Sequence, residues 1–270
     1  GCIKGISGYR IRIQDSAEVL DFHDLVILYC GIAGIFLDGL SANTKIANAL
    51  FLNLTINEVQ SNKNQPVYGI YGQFCEVLNL DNVAAGNTGS VLSTVYGIKL
   101  ENSTSIRIKS CVSSDNYSTW LGAIGFDFDN CNSILCLDCA STNNVYTGTQ
   151  ANSLTCGFHI SNSENIFLEC SSSVSNISTY TGLGILIENS RNSGALKSDF
   201  IGNKSSYSNA AGIVVANSIN SIFKECLIGG NNSSVNGIGC WILSCTGTGI
   251  SKCEIDGDLA QTGTAYGILV

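Results

Sequence analysis

Along the chain one short pattern of apolar and polar positions keeps returning: Gly, apolar, any, apolar, any, Asn, usually followed by Ser. Five copies share one register, opening at Gly97, Gly125, Gly157, Gly184 and Gly212 and closing at Asn102, Asn130, Asn162, Asn189 and Asn217. Weaker copies open at Gly8, Gly34, Gly69, Gly237 and Gly267, so successive copies lie 25 to 35 residues apart. Such alternation is strand periodicity, because residues two apart share one face of an extended chain. A second alternating run follows each Asn, as in 106–111, 166–170 and 222–226, and a stretch rich in Ser, Asn, Thr and Gly then leads to the next Gly. These polar stretches read as turns and loops.

Two short strands, a bend and a variable loop cannot bury a core alone, but coil stacked on coil can. The sequence therefore predicts an all-β solenoid of about nine coils, with residues 1–270 as a single domain. No copy carries ten residues of 3.6 periodicity, which argues against helical repeats. Equivalent positions of stacked coils lie about 4.8 Å apart, so columns can be written down directly. Ile98, Phe126, Phe158, Ile185, Ile213, Ile238 and Ile268 form one inward column, and Leu100, Phe128, Ile160, Ile187, Val215 and Cys240 the next. Asn102, Asn130, Asn162, Asn189 and Asn217 are expected to form an amide ladder at the bend.

These repeats resemble the right-handed parallel β-helix proteins of the pectin-lyase-like superfamily, which often carry stacked Asn at a tight bend. The resemblance runs from about Gly8 to Val270 and implies a single-stranded right-handed parallel β-helix. Handedness comes from the resemblance and from the general hand of parallel crossovers. A fold of this kind names no activity. Polygalacturonases of the superfamily carry Asp-Asp, Gly-His-Gly and Arg-Ile-Lys; here only the triplet has a counterpart, Arg107-Ile108-Lys109, in the ordinary repeat register. Pectate lyases use a calcium-binding acidic cluster with a basic residue, and only Lys99 stands beside acids here.

Composition narrows the partners. With 21 acids against 13 Lys plus Arg, the net charge is near −8 and no basic cluster occurs, which disfavours nucleic acid and anionic membranes. No uninterrupted apolar stretch is long enough to insert into a membrane as a helix. The 13 Cys are odd in number, and Cys111, Cys139, Cys170 and Cys226 fall at the end of the second strand in four copies. Stacked at about 4.8 Å they exceed the roughly 3.5–4.5 Å between Cβ atoms of a disulfide, so free core thiols are expected. Cys131, Cys136 and Cys139 contain one Cys-x-x-Cys pair without a second, and no metal or other cofactor is expected.

Outward positions of the first strand supply the candidate chemistry. Lys99, Asp127 and His159 form one column and Glu101, Asp129, Ser161 and Glu188 the next. Paired carboxylates at such separations suit glycoside hydrolysis, in which one acid protonates the leaving oxygen and the other attacks or activates water. Asp127, Asp129 and His159 are therefore the candidate catalytic residues, mutual repulsion being expected to raise one acid's pKa. Tyr117, Tyr146, Tyr180 and Tyr207 recur in the loops with Trp120 nearby; together with Glu101 and Glu188 they are the candidate ligand-binding residues. Sequons such as Asn53, Asn102, Asn116, Asn176 and Asn203 are expected by chance in so Asn- and Ser-rich a chain.

The sequence begins at Gly1 and stops in mid-repeat at Gly267-Ile-Leu-Val270, so a segment of a longer chain with missing caps is expected. The reading is a non-catalytic structural or binding β-helix of a cell-surface, secreted or virion-type fibre or adhesin, recognising a glycan. Homo-oligomers or end-to-end contacts through uncapped coils are the expected protein partners. The alternative is a polysaccharide hydrolase or lyase acting through the outward acids.

Overall fold

The computed structural model describes every residue except 1, 7, 15–18, 40, 42, 43 and 152. Its elements are strands throughout, and among the described residues there is no helix. The coil opening with Gly122–Asp129 continues through Asn132–Leu137, Ala140–Thr142 and Val145–Tyr146 before Leu154–Ser161 opens the next. Tyr9–Gln14 and the nine later strands that bear the repeat's Gly stack in parallel into a ten-stranded front sheet, which amounts to nine steps from coil to coil. The other segments stack into a second, bent wall, and the main core lies between the two, with Phe126, Phe128, Phe158, Ile166 and Leu168 buried in it. The chain is thus a parallel β-helix.

Register follows the Gly-repeat with two exceptions: at the N-terminal end Ile11 pairs with Ile35, so Arg10 and not Gly8 lies level with Gly34. Ile98, Phe126, Phe158, Ile185 and Ile213 pair in succession as expected. The next members of that column are Cys240 and Ile268; Ile238 pairs with Ala211 instead, and Ile242 follows Val215. Gly237 and Gly239 both offer the repeat's glycine, and pairing selects the second.

The coil opening at Gly125 bends at four points, each made by one residue in the left-handed region: Asn130, Ser133, Asp138 and Asn143 have φ of 53°, 59°, 52° and 53°. Asn and Asp tolerate this region because a short polar side chain bonds locally, which explains the abundance of Asn at coil corners. The expected ladder is displaced by this arrangement. Asn102 and Asn130 are hydrogen-bonded at the first bend, but Asn162 turns to Asp129.

The continuous ladder is buried in the core instead. Asn116, Asn144, Asn176, Asn203 and Asn231 each donate an amide to the next at 2.7 to 2.9 Å, and Asn231 donates to Asp258 at 2.8 Å. All five Asn are fully buried, so four sequons, at Asn116, Asn176, Asn203 and Asn231, are core positions. Amides are tolerated there because each finds its partner one coil along.

Free thiols are found throughout. Cys111, Cys139 and Cys226 are buried just past a bend, their S–H groups directed to the carbonyls of Lys109, Leu137 and Lys224. Ser171 and Ser198 make the same contact, to Glu169 and Leu196, so Cys and Ser substitute for one another as small donors in one column. Cys170 departs from the expectation. It makes the bend itself, with φ of 50°, and its thiol is exposed because Ser171 has taken the inward place.

Candidate functional site on the front sheet

Simple alternation breaks at the repeat's glycine, and this break builds the site. Pairing is interrupted at that position in successive coils, for example at Gly125 between the pairs Ile124–Cys156 and Phe126–Phe158. A Cβ on Gly97, Gly125 or Gly157 would stand 1.8, 1.9 or 1.8 Å from the Oγ of Ser113, Ser141 or Ser173 on the facing wall. Only Gly allows this approach, and Ser113 and Ser173 use it to donate to the carbonyls of Gly125 and Gly184.

The irregularity brings the residue before each Gly to the outer face. Tyr68 and Tyr71, three apart, bring their rings within 4.8 Å, and Lys99 Nζ sits 4.6 Å from the Tyr96 ring centre. Strict alternation would place each of these pairs on opposite faces. Tyr96 is therefore a site residue that the repeat pattern missed. Its signal was present in the Tyr-Gly pairs Tyr68-Gly69, Tyr96-Gly97 and Tyr266-Gly267.

A groove of about 330 Å³ follows, lined by Tyr96, Lys99, Ile124, Asp127, Asp129 and His159, with Leu121 and Leu154 alongside. Asp127 lies at its centre and is buried, not on a solvated face. One carboxylate oxygen meets Lys99 Nζ at 3.0 Å and the other meets His159 Nδ1 at 2.7 Å. Lys99 also reaches Glu101 at 2.8 Å, which accepts from the Tyr71 hydroxyl at 2.6 Å. His159 Nε2 lies 3.1 Å from Glu188. Beyond His159 the row turns apolar through Leu186, Val214 and Trp241, so the polar patch is bounded.

Asp127 does not show the rise expected from an acid pair. Burial alone would raise the Asp127 carboxyl, but the hydrogen bond and charge of His159, with the charge of Lys99, hold it below its ordinary value. His159 is likewise opposed by burial, yet its hydrogen bonds to Asp127 and Glu188 push it up to about 9. Glu188 is lowered chiefly by its hydrogen bond to His159. At neutral pH the row is an alternation of Lys99⁺, Asp127⁻ and His159⁺. Asp127 is an ionised anchor, and the proton of this row sits on the imidazole.

Asp129 stands at the groove's edge, its Oδ1 accepting from Ser161 at 2.9 Å and Asn162 at 3.0 Å. The loop aromatics do not form one line. Tyr146 is buried, its hydroxyl donating to Trp120 O at 3.1 Å, because it takes the inward place that Ser118 and Ser178 occupy in adjacent coils. Trp120 and Tyr207 are exposed, and the Tyr180 and Tyr207 rings are in contact at 6.0 Å. Tyr117 lies exposed on the short strand Tyr117–Ser118, away from the front sheet. Arg107 and Lys109 belong to the other wall, with Ile108 buried between them in sequence.

No family model matches the chain, and no curated protein does. Among solved structures it is similar to a periplasmic alginate epimerase, AlgG, at 12% identity and a TM-score of 0.42, over 95% of this chain and 75% of that one. It is similar to pectate lyase Pel9A at 13% identity and 0.39, over 94% and 68% of the two chains. A DFA-IIIase from Arthrobacter chlorophenolicus A6, in complex with DFA-III, gives 11% identity and 0.43, over 89% and 57%. At such identities and scores no residue role passes from them to this chain.

Proposed function

We propose that the chain is a carbohydrate-binding β-helix that holds a neutral glycan in the front-sheet groove without cleaving it. One observation carries this reading: the groove combines an aromatic ring, Tyr96, with charges already paired to one another, Lys99 to Asp127 and Asp127 to His159. A sugar has an apolar ring face and hydroxyls, so it needs a flat partner and polar edges more than a net charge. Asp129 and Ser161 supply edges of that kind. A two-carboxylate hydrolysis pairs a protonated acid with an ionised one, and Asp127, held ionised, is not the protonated member.

A second reading has its own observation. His159, proton-bearing at neutral pH and held by Asp127, is placed as a general acid if Glu188, its other and more exposed partner, swings away. The chain would then be a polysaccharide hydrolase or lyase. One experiment separates the two: neutral and acidic polysaccharides are incubated with the chain, with and without calcium, and scored for retention in affinity gels and for released fragments by mass spectrometry. Retention without fragments, weakened by Asp129→Asn, supports binding. Fragments that vanish in His159→Asn establish catalysis and refute the first reading.

A further inference from the structure

A second and larger cavity lies elsewhere, where the coils change length. Strand Leu20–Cys30 passes to Ala33–Asp38 through only residues 31–32, whereas Ile46–Ser61 reaches Val67–Gln73 through residues 62–66. The short strands at this corner therefore begin with Gln60 and Ser61, which pair with Gly89 and Ser90 on one side only among the described residues. A step is left beneath the longer loop. It forms an open cleft of about 570 Å³, well within the range of small-molecule sites.

The lining has a definite chemistry. Gly8, Gly31 and Gly89 add no side chains to it. Tyr117 contributes an exposed ring, fixed by its hydroxyl's 3.2 Å contact with Thr147 Oγ1. Gln60, Asn62 and Asn87 bring amides, and Asn87 donates to Asn57 Oδ1 at 2.7 Å. Lys63 and Asp115 are its charged members, one of each sign. Aromatic, amide-rich and electrically balanced surroundings match a ring with an apolar face and many neutral hydroxyls, and give a phosphate or carboxylate nothing to outweigh Asp115.

We propose that this cavity is a saccharide site, taking one to three neutral sugar residues with a ring stacked on Tyr117 and hydroxyls on Gln60, Asn62 and Asn87. It is separate from the front-sheet groove and does not rest on the function proposed there. The test is saturation-transfer NMR and calorimetry on the full chain, using neutral trisaccharides of glucose, mannose and galactose beside glucose 6-phosphate and trigalacturonate. At least one neutral trisaccharide is expected to bind. Tyr117→Ala should weaken it about tenfold or more, Tyr117→Phe should keep it, and the solvent-facing pair Gln60→Ala with Asn62→Ala should weaken it several-fold. Circular dichroism checks the fold of each variant, and the Gln60/Asn62 pair decides the matter if Tyr117→Ala does not fold. The assignment is overturned if no neutral trisaccharide binds at millimolar concentration, if only the charged probes bind, or if, in the Asp129→Asn chain, binding survives these variants. Binding lost in Asp129→Asn instead would place the sugar in the front groove and also overturn it.

Discussion

Replacing His159 by Gln tests the electrostatics of the groove directly. In the folded chain its imidazolium lies 2.7 Å from Asp127 and 3.1 Å from Glu188, and its pKa stands at about 9 against 6.5 for a free histidine. A raised pKa means that the folded state holds the proton more tightly than the unfolded one. The stabilisation is therefore complete below pH 6.5, shrinks as pH rises, and is gone once pH has passed through 9. That interval corresponds to about 3 kcal/mol, an upper figure because Asp127 and His159 titrate together. The assay is urea unfolding of the wild type and His159→Gln at pH 6, 7.5 and 9.5. Subtracting the two curves removes the thiols and every other group they share. The wild type's advantage should fall by about 2–3 kcal/mol across this range, and the imidazole proton resonances should titrate well above neutral. A difference that stays flat within about 0.5 kcal/mol, or a titration near pH 6.5, would refute the buried alternation of charges.

Other expectations follow from the same geometry. Asn176→Ala removes donors to Ser173, Leu183 and Asn203 and an acceptor for Asn144, all buried, and should cost about 3–5 kcal/mol in chemical denaturation. Gly157→Ala brings a methyl within 1.8 Å of Ser173 Oγ and 2.8 Å of Gly184 O, so it should lower stability by about 2 kcal/mol or more, with partial recovery on adding Ser173→Gly. Cys139→Ser, which copies the Ser171 contact one coil along, should change stability by only about 1 kcal/mol, whereas Cys139→Leu should be poorly tolerated. A thiol reagent added to native protein should label Cys2 and Cys170 first, and the buried thiols only after denaturant; rapid labelling of Cys139 would contradict the core register.

Much of this architecture is written locally in the chain. The Gly-to-Asn alternation predicts the front-sheet strands, and stacking Ile98 on Phe126 and Phe158 follows from counting alone, because identical short segments can bury their apolar face only against their neighbours. Asn at a bend is legible for the same reason, since its left-handed conformation is a property of one residue. Choosing among Asn residues is another matter. Asn116, Asn144 and Asn176 carry no local mark that distinguishes them from Asn102 or Asn130, and only the closeness of the Ser-bearing wall to the repeat's glycine buries one set and leaves the other at the corner.

The groove divides in the same way. The sequence by itself determined that Lys99, Asp127 and His159 stack, because they occupy one position in three successive coils. Tertiary structure decided that Tyr96 joins them, that Asp127 is buried between two cations, and that the proton rests on His159. Periodicity fixes which side chains share a column, but burial and charge depend on what packs across the sheet, and that contact is made by residues far apart in the chain.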